Sequence, residues 1–251
     1  MIALVTGATS GIGKCTAEIF ARNGYHVIIT GRREERLSEL KKGLEANFGI
    51  KVLALHFDIR KLTEVEKTIT ALSADWKKVD VLVNNAGLAA GLSAIQDGNI
   101  EHWERMIDTN IKGLLYITRA VSRIMIENKK GHIINVGSIA GKEAYANGNV
   151  YCGTKHAVDA LNKGMRIDLL QHGIKVSAVN PGMVETEFSI VRFDGDENRA
   201  RKVYEGFQPL KPEDIAETIY WMASRPAHVN INDVIIMPTA QANSTTVKRN
   251  V

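Results

Sequence analysis

Three side chains in the second half of the chain have the types and spacing for acid–base chemistry at an alcohol or carbonyl carbon. Tyr151 and Lys155 stand four residues apart in a stretch of helical patterning, 150–171, so they share one face a turn apart. Ser138 lies 13 residues before the tyrosine, just after a strand-like run, and reaches the same place if the intervening loop folds back. A tyrosine titrates near ~10, and a neighbouring ammonium favours its phenolate. Lowering that pKa to about 7 takes roughly 4 kcal/mol, at about 1.36 kcal/mol per unit. A serine hydroxyl would donate to the carbonyl oxygen as negative charge develops there. Any helix supplies a Tyr/Lys pair by accident, so the reading needs a redox partner.

That partner is legible near the first residues. Thr6-Gly7-Ala8-Thr9-Ser10-Gly11-Ile12-Gly13 follows a short apolar run and opens a helix. Side chains at the glycines would block the tight turn, the approach of backbone to a pyrophosphate, and the packing of helix on strand. The helix N-terminus offers free N–H groups and partial positive charge to phosphates. The spacing is Gly-x3-Gly-x-Gly, and no Gly-Lys-Ser/Thr is present, which excludes a Walker loop. A dinucleotide is expected.

The end of the second strand selects which one. An NAD site places Asp or Glu there to bind the ribose 2′-hydroxyl. Here the residues are Thr30-Gly31-Arg32-Arg33, with no acid until Glu34. A carboxylate would repel a 2′-phosphate, whereas a guanidinium pairs with it through two hydrogen bonds. NADP is therefore expected, with Arg32 or Arg33 as the main contact. Asp58, followed by Ile59, either accepts from the adenine amino group or caps the next helix.

The elements that must hold these groups alternate along the chain. Strand-like runs at 2–6, 26–30, 52–57, 79–83, 132–136, 175–179 and 233–237 are separated by helical patterns. The helical patterns cover 14–23, 34–45, 63–72, 100–110, 111–128, 150–171 and 212–224. Such alternation predicts an α/β chain, a mostly parallel doubly wound sheet with helices on both faces. No linker or repeat divides it, so 1–251 reads as a single domain. Residues 188–207, mixed in charge and without clear periodicity, read either as a solvated excursion or as a lid over a ligand.

Composition narrows the class further. The 251 residues are 45% hydrophobic and 24% charged, an ordinary soluble composition. The excess of 32 basic over 28 acidic residues gives +4, and no basic cluster long enough for a nucleic-acid arm occurs. Two cysteines exclude a disulfide scaffold, and no His/Cys spacing suits a metal. Cys15 and Cys152, with no base suggested near either, read as packing residues. No signal-peptide pattern or 18-residue apolar run is present, which points to an intracellular protein.

Taken together, TGATSGIG, Asn84–Gly87 (NNAG), Asn110, Ser138 with Tyr151-x3-Lys155, and Pro181–Gly182 resemble the classical short-chain dehydrogenases/reductases over almost the whole chain. The resemblance implies a single Rossmann-type domain with a seven-stranded parallel sheet. It makes Tyr151 the general acid/base and Lys155 the partner that lowers the tyrosine pKa and binds the nicotinamide ribose. Ser138 is then the substrate-orienting hydroxyl, and Asn110 anchors a water in the proton relay. Gly7, Thr9, Ser10, Gly11, Ile12, Gly13, Asn84, Ala86 and Gly87 line the cofactor, and Pro181, Gly182, Val184 and Thr186 grip the carboxamide.

A narrower resemblance is carried by Thr30–Arg33, Ile107–Asn110, Gly148–Tyr151, Thr186–Ser189, Val191–Phe193 and Pro226–Asn232. It is to the bacterial NADP-dependent 3-hydroxy acid dehydrogenases. It implies oxidation of serine, L-allo-threonine or 3-hydroxypropionate, reduction of the semialdehydes, a homotetramer and a cytoplasmic location. Such a substrate carries a carboxylate near the reacting carbon, so its pocket needs a cation. Arg192 is the candidate; its alternative is a surface arginine paired with Asp194 or Asp196. Tyr145, Asn147 and Asn149 are further pocket candidates. Two other functions remain: reduction of a ketoacyl thioester, sugar or diketone, and a non-catalytic NADP(H) sensor.

Overall fold

Alternate residues of each strand face opposite sides of a sheet, and here both sides are apolar. In β1 (Ile2–Val5), Ala3 and Val5 join one core layer, while Ile2 and Leu4 join the other. Strands buried on both faces need helices on both faces. The computed structural model, which describes residues 1–250, supplies them. One layer packs α1 (Gly11–Arg22), α2 (Glu34–Phe48) and α9 (Pro212–Ala223) on the sheet through Phe20, Leu37, Leu44, Ile215 and Ile219. The opposite layer packs α3 (Leu62–Thr70), α5 (Leu114–Glu127) and α6 (Asn149–Leu169) through Val65, Ile69, Ile117, Val121 and Leu169. Each large side chain so buried contributes about 1.5–3 kcal/mol of transfer free energy.

The remaining strands are β2 (His26–Gly31), β3 (Val52–His56), β4 (Val81–Asn84), β5 (Gly131–Val136), β6 (Ile174–Pro181) and β7 (Asp233–Ile236). All pair in parallel, in the order β3-β2-β1-β4-β5-β6-β7. The winding reverses between β1 and β4, and a parallel sheet opens its binding crevice at the carboxyl ends of the strands at such a reversal. The Gly7–Gly13 loop and Asn84–Gly87 both leave the sheet there.

Three local readings are corrected. The helices expected at 100–110 and 111–128 are one continuous run: α4 (Ile100–Ile107), a π-helical turn Asp108–Gly113, then α5. An extra residue per turn shifts the apolar stripe there, which sequence periodicity reads as a break. Residues 188–207 contain two short helices, α7 (Phe188–Arg192) and α8 (Glu197–Lys202). Asp58 does not cap α3, whose N-cap is Lys61; its carboxylate instead receives the backbone N–H and guanidinium of Arg60.

Candidate active site

The crevice is built from its glycines upward. Gly7 adopts φ +65°, and a Cβ there would stand 2.9 Å from the Ala86 Cα. At Gly13 a Cβ would meet the Gly7 carbonyl oxygen at 2.4 Å. The loop is therefore pressed against Asn85–Ala86 and against its own helix. Thr6 Oγ1 accepts the backbone N–H groups of Asn85 and Ala86 at 3.0 Å each, and Asn85 Nδ2 donates to the Thr6 carbonyl at 2.8 Å. The result is a bare backbone cradle at the N-terminus of a 12-residue helix. A cleft of about 360 Å³ runs from it past Arg32, Asp58 and Gly87 to Ser138, Tyr151 and Thr186. These residues fit a dinucleotide: an uncrowded cradle for the pyrophosphate, two arginines at the adenosine end, and a polar site at the far end.

At that far end, Ser138 follows β5 in extended backbone, and its Oγ accepts the Ala140 N–H at 3.0 Å. A 3₁₀ turn, Ile139–Gly141, then seats on α6: a Cβ at Gly141 would lie 2.6 Å from the Lys155 carbonyl oxygen. One residue on, Lys142 Nζ reaches Asp159 of α6 and Asp233 of β7, both at 2.5 Å. Backbone contact and ion pairs thus hold the serine loop against the tyrosine helix.

Tyr151 is 8% exposed, with its ring edge-on to Phe188 at 5.7 Å between centroids. Burial pushes its phenol well above the usual tyrosine range, and Tyr145 adds to this; Ser138 and Arg192 pull it back. In this arrangement the cation that pulls on the phenol is Arg192. Lys155 Nζ is turned to the Val136 carbonyl at 2.9 Å, and burial pulls the amine down to about 8. Asn110 sits in the π-helical turn, one layer behind the cleft. Its amide brackets Leu88, accepting from the N–H at 2.9 Å and donating to the carbonyl at 2.8 Å, and donates to Thr154 Oγ1 at 3.0 Å.

Arg192, at the end of α7, lies above the tyrosine. Its Nη2 donates to Tyr145 Oη at 2.8 Å, and its Cζ is 5.5 Å from the ring centroids of both Tyr145 and Tyr151. The alternative pairing with Asp194 or Asp196 does not occur. Asp194 lies beside His102 and Arg105, and Asp196 caps α8 through the Arg199 N–H. Among the described residues no carboxylate lies within ion-pair distance of Arg192.

Most of the residues expected at the site line the cleft: Thr9, Ser10, Gly11, Ile12, Ile59, Ala86, Pro181, Gly182 and Val184 join those already named. The lining lacks seven of the expected residues: Asn110, Tyr145 and Arg192, placed above, and Asn84, Gly13, Asn147 and Asn149. Asn84 is buried behind the cleft, where its Nδ2 donates to Thr118 Oγ1 and Asn135 Oδ1; Asn85 takes its place on the wall. Gly13 serves helix packing. Asn147 is exposed at φ +64°, and its carbonyl accepts the Ser93 N–H, so it shapes the loop rather than the pocket; Asn149 donates to the Ser93 carbonyl. Sequence reasoning did not single out Glu187 on the wall, where Phe188 and Val191, from the segment read as a lid or a solvated excursion, also lie. Phe188 and Val191 were legible as the apolar side of a short amphipathic turn. Cys15 does have an acid beside it: Sγ lies 3.3 Å from Glu213 Oε1. Burial, then Glu213, pushes the thiol up to about 12, which leaves it protonated and unreactive.

Residues 1–196 match the short chain dehydrogenase family model. Over 243 residues, 96% of each chain, the protein is 51% identical to the NADP-dependent 3-hydroxy acid dehydrogenase YdfG of Salmonella typhi. It is 43% identical over 239 residues to the serine 3-dehydrogenase of Agrobacterium fabrum, spanning 95% of this chain and 94% of that one. The solved closed form of a serine dehydrogenase complexed with NADP+ superposes with a TM-score of 0.93 at 44% identity, covering all of both chains. With its cradle, its Ser–Tyr–Lys set and these relatives, the chain belongs to the short-chain dehydrogenase family.

Proposed function

We propose that this chain transfers a hydride between NADP(H) and small 3-hydroxy acids of the serine, L-allo-threonine and 3-hydroxypropionate type, or their semialdehyde or keto forms. The observation that carries the substrate class is Arg192, a guanidinium with no carboxylate partner among the described residues, standing over the ring of the proposed acid/base. Ketoacyl thioesters, sugars and diketones offer no carboxylate beside the reacting carbon and would leave that charge unmatched in a sheltered place. A sensor without chemistry would have no use for the Ser138–Tyr151–Lys155 set.

The residue roles follow from chemistry. When bound, NADP+ supplies the hydride acceptor at its nicotinamide C4. Ser138 Oγ donates to the substrate oxygen and holds it beside Tyr151, whose phenolate takes the hydroxyl proton in oxidation. In reduction the phenol returns that proton. Lys155 binds the nicotinamide ribose, and Asn110 stands behind it at the start of the proton relay. Arg192, steadied by Tyr145, holds the substrate carboxylate. The Gly7–Gly13 cradle takes the pyrophosphate, and Thr186 the carboxamide end. Arg32, which lines the cleft with no carboxylate partner among the described residues, meets the 2′-phosphate, while Arg33 is occupied by Thr9, Ser10 and Glu187.

Residues 1–251 act as one cofactor-binding and catalytic domain, with 188–207 as the substrate cover. A homotetramer in the cytoplasm fits the apolar side chains left exposed: Ile167 (75%) and Leu170 (67%) at the end of α6, Trp221 (44%) on α9 and Ile235 (52%) on the edge strand. No described helix is long and apolar enough to cross a membrane. The test is Tyr151→Phe: turnover should fall by about 10²-fold or more while NADPH binding persists. Retained turnover would remove Tyr151 from the mechanism.

A further inference from the structure

Glu187 is the residue immediately before α7, at the root of the segment that covers Tyr151. Its carboxylate crosses the mouth of the cleft to the start of α2. It accepts Arg33 Nη1 at 2.9 Å and Arg36 Nη1 at 2.8 and 3.1 Å. These contacts span 154 and 151 residues of chain. Arg33 is fixed from behind as well: Nε and Nη2 donate to Thr9 Oγ1 at 3.1 and 2.8 Å, and Nη2 to Ser10 Oγ at 2.7 Å. Directly after Glu187 comes Phe188, packed edge-on to Tyr151. Four residues further on, Arg192 closes the other end, its carbonyl accepting the Gly91 N–H at 2.9 Å. The covering turn is thus tied at both ends, and its first tie is made entirely of charge.

We propose that Glu187 is a positioning residue. With Arg33 and Arg36 it forms a latch across the cleft mouth that sets Phe188 and Arg192 over Tyr151, while Arg32 is left for the cofactor phosphate. The inference rests on the site reading above for its kinetic arm alone. Half-exposed ion pairs are weak and screened by salt, so the latch shifts a closing equilibrium by a several-fold factor and yields to ionic strength.

The test uses Glu187→Gln, which keeps shape and removes charge, and Arg36→Gln, which touches no proposed cofactor contact. Tryptic cleavage within α8, after Arg199, Arg201 or Lys202, reports opening of the cover without any substrate. Both variants should be cut several-fold faster than the parent at low salt, and added salt should erase the difference. The double variant should be no worse than Glu187→Gln alone, because Arg36→Gln removes only a pairing that Glu187→Gln has already lost, while by itself it leaves Arg33 on the carboxylate. NADP+ affinity, read by titration calorimetry, should stay within about twofold, while KM for serine rises about fivefold with kcat little changed. Unchanged cleavage would overturn the latch. So would several-fold tighter NADP+ binding by Glu187→Gln with cleavage unaltered, which would make the carboxylate a competitor for the phosphate. If none of the 3-hydroxy acids is a substrate, the function proposal falls, and cleavage alone decides the latch.

Discussion

Arg192 and Tyr151 interact through their charge states, and that interaction gives the residue-scale predictions. A charge-assisted hydrogen bond contributes about 1.5–3 kcal/mol, so Arg192→Met should raise KM for 3-hydroxypropionate by about 10- to 100-fold. The rate with an uncharged 3-carbon alcohol should change little, and an equal loss on both would remove the carboxylate role. Because burial holds the Tyr151 phenol above its ordinary range, the group is protonated at neutral pH and a base only when driven. Hydroxy acid oxidation should therefore speed up from pH 7 to about 9 as the phenolate fraction grows, while semialdehyde reduction, served by a phenol that stays protonated, should change little over the same interval. Oxidation that is flat or falls with pH would mean a different proton carrier. These residues were legible beforehand for a local reason: Tyr151 and Lys155 share a helix face, and Ser138 closely follows the strand-like run at 132–136. Arg192 was legible as a cation between apolar neighbours, whereas its freedom from Asp194 depends on where His102 and Arg105 stand in space.

Between elements, the catalytic pair depends on how closely the Ile139–Gly141 turn lies on α6. Gly141→Ala places a methyl 2.6 Å from a backbone carbonyl that cannot swing away, so the turn must lift and carry Ser138 with it. Overpacking of this kind costs about 1–3 kcal/mol. A lower melting temperature with a kcat loss exceeding any change in NADP+ affinity is expected; a stability loss alone would separate the turn from catalysis. Element boundaries were read to within a few residues wherever the apolar period was regular. The π-helical turn at Asn110 broke that period, and the exposed αL position of Asn147 looks in sequence like any polar residue near a site. The Glu187 pairings join elements more than 150 residues apart, and no local pattern carries them.

At the scale of the whole molecule, the alternation of strands and helices pointed to a parallel sheet because strands apolar on both faces need helices on both sides. The same burial creates a pH dependence far from the cleft. His132, on β5, bonds Ser177 Oγ at 2.7 Å, and burial pushes its pKa down to about 3 from 6.5. Between those values the unfolded chain binds a proton that the folded chain refuses, so stability falls as pH drops below about 6.5. By pH 5 the loss from this residue is about 2 kcal/mol, at about 1.36 kcal/mol per unit. Urea titrations at pH 7 and pH 5 should show that difference shrinking in His132→Gln; an unchanged difference would assign the acid sensitivity elsewhere. For function, the most direct measurement is the rate of NADPH or NADH formation from serine, L-allo-threonine, threonine and 3-hydroxypropionate, each with NADP+ and with NAD+. Turnover of one or more of these acids, at least about tenfold faster with NADP+ because a guanidinium meets the 2′-phosphate, is the predicted result. A preference for NAD+, or turnover of neutral carbonyl compounds with none of the acids, would contradict it.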